Sequence, residues 1–337
     1  MDTGQTTHDF AKLDPDLIID SVESLGLLSD ARIFALNSYE NRVYQIGLEA
    51  TPETPAELGP KLIGKYYRPA RWTDQQILEE HQFTQELAAL EIPVVAPLAF
   101  QQNTLHHFKN YRFALYPQRG GRTAELDNPE HLEWIGRFLG RIHTAAASKA
   151  FEYRPEISIK EFAIDSSAFL LSNGFIPDYL IDAYQSLIDD LINLLKQRFA
   201  AVSYQGIRLH GDCHRGNIMW TDNGPHFVDF DDCRTGPAVQ DLWMLLAGDT
   251  PEQQQQLNHI LDGYFEFAEL NPAELQLAEP LRCLRLIHYA SWLARRWSDP
   301  SFPLNFPWFN SGNYWEQHIL ELREQLAILQ SSEHLHL

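Results

Sequence analysis

The sequence predicts an α+β chain of two lobes, an antiparallel β-rich N-terminal lobe over residues 1–116 and a mainly helical C-terminal lobe over 117–337. Three observations predict it. Period-two alternation of apolar side chains dominates the first part, and helical periodicity dominates the second. One strand-like interruption of the helical half, Ile207 to Asp232, carries the carboxylates Asp212, Asp229, Asp231 and Asp232. With 337 residues, 44% hydrophobic and 21% charged, the chain has the balance of a globular enzyme and enough apolar surface for a sizeable core.

The elements follow in order. Pro15 to Gly26 reads as a short amphipathic helix. Strands are expected at Ile33 to Leu36 and Arg42 to Gly47, flanking the polar turn 37–41, and at Leu62 to Tyr67 after the loop Thr51 to Pro60. Ile77, Phe83, Leu87 and Leu90 recur at helical spacing over Thr73 to Leu90, and Pro93 to Pro97 ends that helix. Two more strands, Leu98 to Gln101 and Tyr111 to Tyr116, lead to a Gly-rich connector at Pro117 to Arg122, where the lobes divide. Beyond it, helices are expected over His131 to Ala147, Ile181 to Phe199, Val239 to Leu246, Gln253 to Glu269, Glu279 to Arg296 and Tyr314 to Leu329.

Charge and composition exclude several functions. The 26 basic and 46 acidic side chains give a formal charge of −20, which repels phosphate backbones and anionic bilayers, so neither nucleic acid nor membrane is expected as a partner. Met1 to Phe10 shows no basic stretch followed by an apolar one, and no apolar run approaches the roughly 20 residues a span requires. Cys213, Cys233 and Cys283 are too few and too scattered for a disulfide framework, and their spacing with His210 and His214 is not that of a zinc site. A cytoplasmic monomer is the expectation.

The interruption carries the chemistry. His210-Gly211-Asp212-Cys213-His214-Arg215-Gly216-Asn217 sets an Asp and an Asn five positions apart, followed by apolar Ile218-Met219. That is the D-x-x-x-x-N spacing of a kinase catalytic loop, in which the Asp takes or orients the attacking hydroxyl's proton and the Asn helps hold Mg²⁺. Past the turn Asp222-Asn223-Gly224, the strand Phe227-Val228 delivers Asp229, a second hard-oxygen ligand suited to Mg²⁺. Asp231 adds a ligand or serves as a polar turn residue. Asp241, starting a helix after Pro237, is expected to brace the catalytic loop through backbone N–H groups.

This segment resembles the aminoglycoside phosphotransferase and choline kinase superfamily, where Gly replaces the Arg of the protein-kinase H-R-D. Four stretches, Leu36 to Tyr44, Arg71 to His81, Leu209 to Trp220 and Gly236 to Trp243, together with Phe302-Pro303 and Pro307-Trp308, are similar to the bacterial stress response kinase A family. The resemblance covers nearly the whole chain. It implies a two-lobed protein-kinase-like fold of the aminoglycoside phosphotransferase type. It also implies an ATP- and Mg²⁺-dependent serine/threonine protein kinase that acts in stress survival and phosphorylates itself as well as a protein substrate.

The remaining site residues follow from the same chemistry. Lys65 ends an apolar strand, where a kinase needs a cation on the nucleotide phosphates, and Glu80 in the next helix is its expected partner, with Glu79 competing. Residues 37–42 contain no glycine, a departure from the protein-kinase G-x-G-x-x-G, so Ser38 and its neighbours would contact the phosphates with hydroxyl and backbone donors. No A-P-E follows Asp232, so a long activation loop is absent. Two rival readings share these residues: a kinase of an amino-sugar, choline or other small alcohol, and a non-catalytic nucleotide-binding protein.

Overall fold

The computed structural model describes residues 10, 12–51, 58–331 and 335–336; most of the polar start and much of the Thr51 to Pro60 loop lie outside them. The first elements are α1 (Pro15–Glu23), β1 (Ser29–Ala35), β2 (Arg42–Leu48), β3 (Lys61–Tyr66), α2 (Asp74–Ala89), β4 (His106–Phe108), β5 (Tyr111–Pro117) and β6 (Arg122–Thr123). Then come α3 (Pro129–Ala146), α4 (Asp165–Ser172), α5 (Ile181–Ala201), β7 (Ile207–Leu209), β8 (Ile218–Thr221), β9 (Gly224–Phe227) and β10 (Arg234–Gly236). The chain continues through α6 (Val239–Trp243), α7 (Thr250–Tyr264), α8 (Ala278–Arg295), α9 (Ser301–Asn305) and α10 (Gly312–Gln330).

Residues group into two compact units that are not contiguous in sequence. One comprises Met1–Ala124, Glu152–Arg154 and Gly216–Asp231, and the other the remainder. The sequence places a single cut at 116/117; by contact the first unit runs on to Ala124 and takes in two later returns of the chain. Asp212 falls in the helical unit, and Asn217 and Asp229 in the β-rich one.

The β-rich unit is built on a five-stranded antiparallel sheet of order β1-β2-β3-β5-β4. Alternation along β2, β3 and β5 turns Ile46, Leu48, Leu62, Tyr66, Phe113 and Leu115 inward, where they pack with Leu17, Ile18 and Val22 of α1. Register pairs Lys65 with Val43 on one side and Ala114 on the other, fixing the lysine in the middle of the sheet. The segment Leu98 to Gln101 is not a strand: Gln101 and Gln102 have φ of +51° and +66° and turn the chain so that Phe100 bridges Asn103. A smaller sheet, β6-β8-β9, holds the hairpin that follows the catalytic loop.

The helical unit packs α3 against α7 at close range. A Cβ on Gly136 would lie 1.9 Å from the Ile260 carbonyl oxygen, and one on Gly263 would lie 2.0 Å from that of Glu133, so both contacts require glycine. The π-turn Lys160–Ile164, α4 and α9 are helical segments that the periodicity does not reveal. Among the described residues no helix is long and apolar enough to cross a membrane.

The crossing yields a prediction whose sign is diagnostic. On intrinsic propensity Gly136→Ala should stabilise α3 by about 1 kcal/mol. Against the Ile260 carbonyl it should instead destabilise by roughly 1–3 kcal/mol, seen as a thermal midpoint several degrees lower in calorimetry.

Candidate active site

In the β-rich unit the site begins with a buried cation. Lys65 is 6% exposed, and its Nζ lies 3.0 Å from Asp231 Oδ1, 3.2 Å from Asp229 Oδ1 and 3.7 Å from Glu80 Oε1. Burial works to discharge the ammonium, but the Asp231, Glu80 and Asp229 charges outweigh it and hold the pKa well above the usual lysine value. Thr73 caps α2 in a reciprocal capping box with Gln76. The helix buries Ile77, Glu80, His81, Thr84 and Leu87, one face at helical spacing.

That periodicity separates the two glutamates. Glu80 shares the buried face and reaches Lys65, while Glu79 accepts the backbone N–H groups of Glu152, Tyr153 and Arg154 at 2.5, 2.9 and 2.7 Å. The 152–154 segment then supplies Arg154, which donates to Glu80 Oε2 at 2.8 Å and to the Asp231 carbonyl at 2.7 Å. Arg71 pairs with the other oxygen of Asp231. Burial opposes ionisation of Asp231, yet Arg71, Lys65 and Arg154 keep its carboxyl well below the usual range. Neither arginine carries a local sequence signal; Arg154 lies 74 residues from Glu80 in the chain.

Asn217 and Asp229 meet at the open end of the β8–β9 hairpin. Ile218 pairs with Phe227, and the next N–H, that of Val228, donates to the Asn217 carbonyl at 3.0 Å. Asp229 follows with φ of +61°, in the left-handed region, and its side chain is 55% exposed. An amide oxygen and a half-exposed carboxylate are hard donors that fit Mg²⁺, which takes one or two protein ligands and completes its shell with phosphate and water. Asp231, buried between Lys65 and Arg71, is engaged as an ion-pair partner.

The helical unit holds the rest of the catalytic loop. Asp241, fully buried, accepts the Gly211 N–H on Oδ1 at 2.9 Å and the His210 N–H on Oδ2 at 2.8 Å, the bracing expected of it. His143 Nε2 lies 3.2 Å from the same Oδ2, and His143 Nδ1 lies 2.9 Å from the Tyr264 hydroxyl. Gly211 has φ of +83°, and a Cβ there would fall 2.2 Å from the Asp232 carbonyl oxygen. The glycine of H-G-D is therefore a steric necessity of this loop.

Asp212 itself faces two cation-forming side chains. Arg285 of α8 donates from Nη1 to Oδ1 at 2.6 Å, and His214 Nε2 lies 3.4 Å from Oδ2. Burial disfavours the charge, but the His214 hydrogen bond and the Arg285 guanidinium hold the carboxyl well below the usual range, so it is an anion at neutral pH. Arg285, 73 residues away in the chain, has no motif to announce it.

The Ser38 hydroxyl donates to the Asn41 carbonyl at 3.2 Å, and Arg68 holds the glycine-free turn by donating to the carbonyls of Glu40 and Tyr39 at 2.9 and 3.3 Å. Cys213, Cys233 and Cys283 are buried free thiols, and burial pushes the Cys213 thiol well up, which makes it a poor thiolate. Among the described residues no three His, Cys, Asp or Glu side chains cluster as a metal site.

Comparison with known proteins is consistent across sequence and structure. The model of the phosphotransferase enzyme family matches residues 33–277. The chain is 45% identical over 321 residues to "Stress response kinase A" of Escherichia coli (strain K12), covering 95% of each. It is 43% identical over 320 residues to "Serine/threonine protein kinase RdoA" of Salmonella typhimurium (strain LT2), covering 95% of this chain and 94% of that one. Among solved structures, amicoumacin kinase hAmiN in complex with AMP-PNP, Ca²⁺ and Ami superposes with a TM-score of 0.71 at 20% identity, over 90% of this chain and 92% of that one. A microcompartment-associated aminopropanol kinase gives 0.67 at 15% identity, over 94% and 97%. The fold is thus the two-lobed kinase-like one of the phosphotransferase type.

Two predictions follow from the charges and the clamp. Asp231 has a depressed folded pKa, so its pairing stabilises the protein fully above about pH 4 and is lost as pH falls further. Asp231→Asn should be less stable than wild type at pH 7 but lose less on acidification, giving a flatter thermal midpoint between about pH 5 and pH 2. Asp241→Ala strands two buried backbone N–H groups at a cost of about 1–3 kcal/mol each, and hydrogen exchange should accelerate at His210 and Gly211 first.

Proposed function

The chain belongs to the stress response kinase A family of phosphotransferases and is a kinase, and on that premise we propose that it moves the γ-phosphoryl group of ATP to serine or threonine hydroxyls of a protein, itself included. The observation that carries the reading is Asp212: a partly exposed carboxylate kept ionised by Arg285 and His214, on a loop whose two preceding N–H groups are fixed by Asp241. An ionised carboxylate at this loop position is what an incoming hydroxyl needs.

In this reading Asp212 accepts the proton of the attacking hydroxyl as its oxygen bonds to the γ-phosphorus. The bond from that phosphorus to the bridging oxygen breaks, and ADP leaves with the electron pair. Lys65 binds the nucleotide phosphates, Glu80 keeps the lysine oriented, and Ser38 contacts the phosphates from the β1–β2 turn. Asn217 and Asp229 would hold Mg²⁺, which when bound supplies charge neutralisation to the phosphates. The chain works in the cytoplasm on this proposal, where ATP and Mg²⁺ are both abundant.

Incubation with γ-labelled ATP and Mg²⁺, alone and with a generic protein acceptor, tests the proposal. Label is expected on serine and threonine. Asp212→Asn should lower the rate by roughly 10²–10⁴-fold with the melting profile retained. Rapid ADP release with a small alcohol and no protein label would reassign the chain to metabolite kinases.

A further inference from the structure

Arg285 differs from three arginines near it in the helical unit, Arg282, Arg295 and Arg234. Arg282 is engaged by Glu279 and stacks on Trp243, Arg295 bonds Ser291 and the Asp165 carbonyl and stacks on Phe169, and Arg234 is held by Glu161, Asp232 and Phe162. Among the described residues Arg285 has one partner, Asp212, and its side chain is 41% exposed. A guanidinium carries five N–H donors in a planar fork. One is used here, and the others are available to whatever approaches Asp212.

Whatever approaches Asp212 productively is the acceptor. A hydroxyl within hydrogen-bonding reach of this carboxylate is also beside a guanidinium that lies 2.6 Å from it. We propose that Arg285 forms an anion-recognition subsite, so that the preferred acceptors carry a carboxylate or phosphate group next to the hydroxyl that is phosphorylated. The inference rests on the phosphotransferase reading of Asp212 and names the acceptor class for it. For a protein acceptor, it means an acidic residue flanking the serine or threonine.

His288 and Tyr289 follow Arg285 on its helix, and His214 lies beside Asp212. His288, one turn along α8 from Arg285, stacks on Phe162 at 4.4 Å and lies 3.3 Å from the Ser166 hydroxyl. His214 stands on the other side of Asp212. Tyr289, four residues past Arg285 on the same helix face, is 38% exposed and stacks on Trp292, giving the subsite an aromatic border. An anionic acceptor group would also compete with Asp212 for the guanidinium. Drawing Arg285 away would restore basicity to Asp212 when the proton is to be taken, because the guanidinium is one of the charges that depress it.

Matched acceptor pairs test the subsite. Serine peptides differing only in Glu or Gln beside the serine, and the small alcohols glycerate and glycerol, are compared by kcat/KM with wild type, Arg285→Gln and Arg285→Lys. The anionic member of a pair should be favoured roughly 10–100-fold by wild type. Arg285→Gln should bring that ratio close to one, mainly through KM of the anionic member, and Arg285→Lys should retain part of it. A ratio near one in wild type, or a preference that survives Arg285→Gln, overturns the proposal. So does an equal fall in kcat for both members, which would make Arg285 a general stabiliser of the reaction. If only the alcohols are phosphorylated, the protein-kinase reading fails while the subsite is judged on glycerate against glycerol.

Discussion

The burial of one ammonium group, that of Lys65, organises the β-rich unit. An isolated lysine 6% exposed would lose its proton to escape the desolvation penalty. Three carboxylates prevent that, and they would repel one another without Arg71 and Arg154 among them. The partners come from separate stretches of chain: β3, α2, the segment between them, the 152–154 return and the 229–231 turn. Charge compensation therefore draws together segments whose apolar contacts alone do not specify this arrangement. A well-packed hydrophobic group is often at least as stable in place of such a network, so its presence fits a task that needs charge, such as the phosphate-binding role proposed for Lys65.

The helical unit positions Asp212 by another device. Asp212 is placed by its backbone: Asp241 takes the two N–H groups before it, and Gly211 allows the left-handed turn beside the Asp232 carbonyl. His143 and Tyr264 hold the Asp241 carboxylate in turn, so the support extends from α3 and α7 to the catalytic loop. The glycine contacts that let those helices approach closely belong to the same support. Lys65 and Asp212 thus answer to different physics, charge balance for the first and hydrogen-bonded backbone for the second.

What could be read from the sequence was what is local. Alternation gave β1, β2, β3 and β5, whereas Glu79 and Glu80 stayed in competition until the buried face of α2, which includes Ile77, Glu80, Thr84 and Leu87, separated them. The spacing of Asp212, Asn217 and Asp229 spans one loop and one hairpin, both legible from turn chemistry. Arg71, Arg154 and Arg285 were not legible, because each acts across more than 70 residues and sits in a segment of ordinary composition. The helical turns 160–172 lack a clear apolar stripe, and Leu98 to Gln101 has strand-like composition but a backbone reversed at Gln101 and Gln102. Local patterns carry element type; long-range charge pairing is settled only by the folded chain.

Asp229 shows where these two levels meet. A non-glycine residue at φ +61° is sterically disfavoured, and Asp is among the few that tolerate it. The conformation persists because its neighbours over-determine it. Phe230, 2% exposed, is set edge-on against Phe83 of α2, while Asp229 and Asp231 on either side both turn to Lys65. An extended backbone would likewise send residues 229 and 231 to one side and 230 to the other; here both carboxylates lie within 3.2 Å of one ammonium. Glycine would relieve the strain and remove the carboxylate with it. Of the three carboxylates around Lys65, Asp229 has the exposed side chain, whereas those of Glu80 and Asp231 are 4% and 5% exposed. The strained residue is therefore the one whose carboxylate solvent and an incoming cation can reach, as the metal-binding role proposed for it requires.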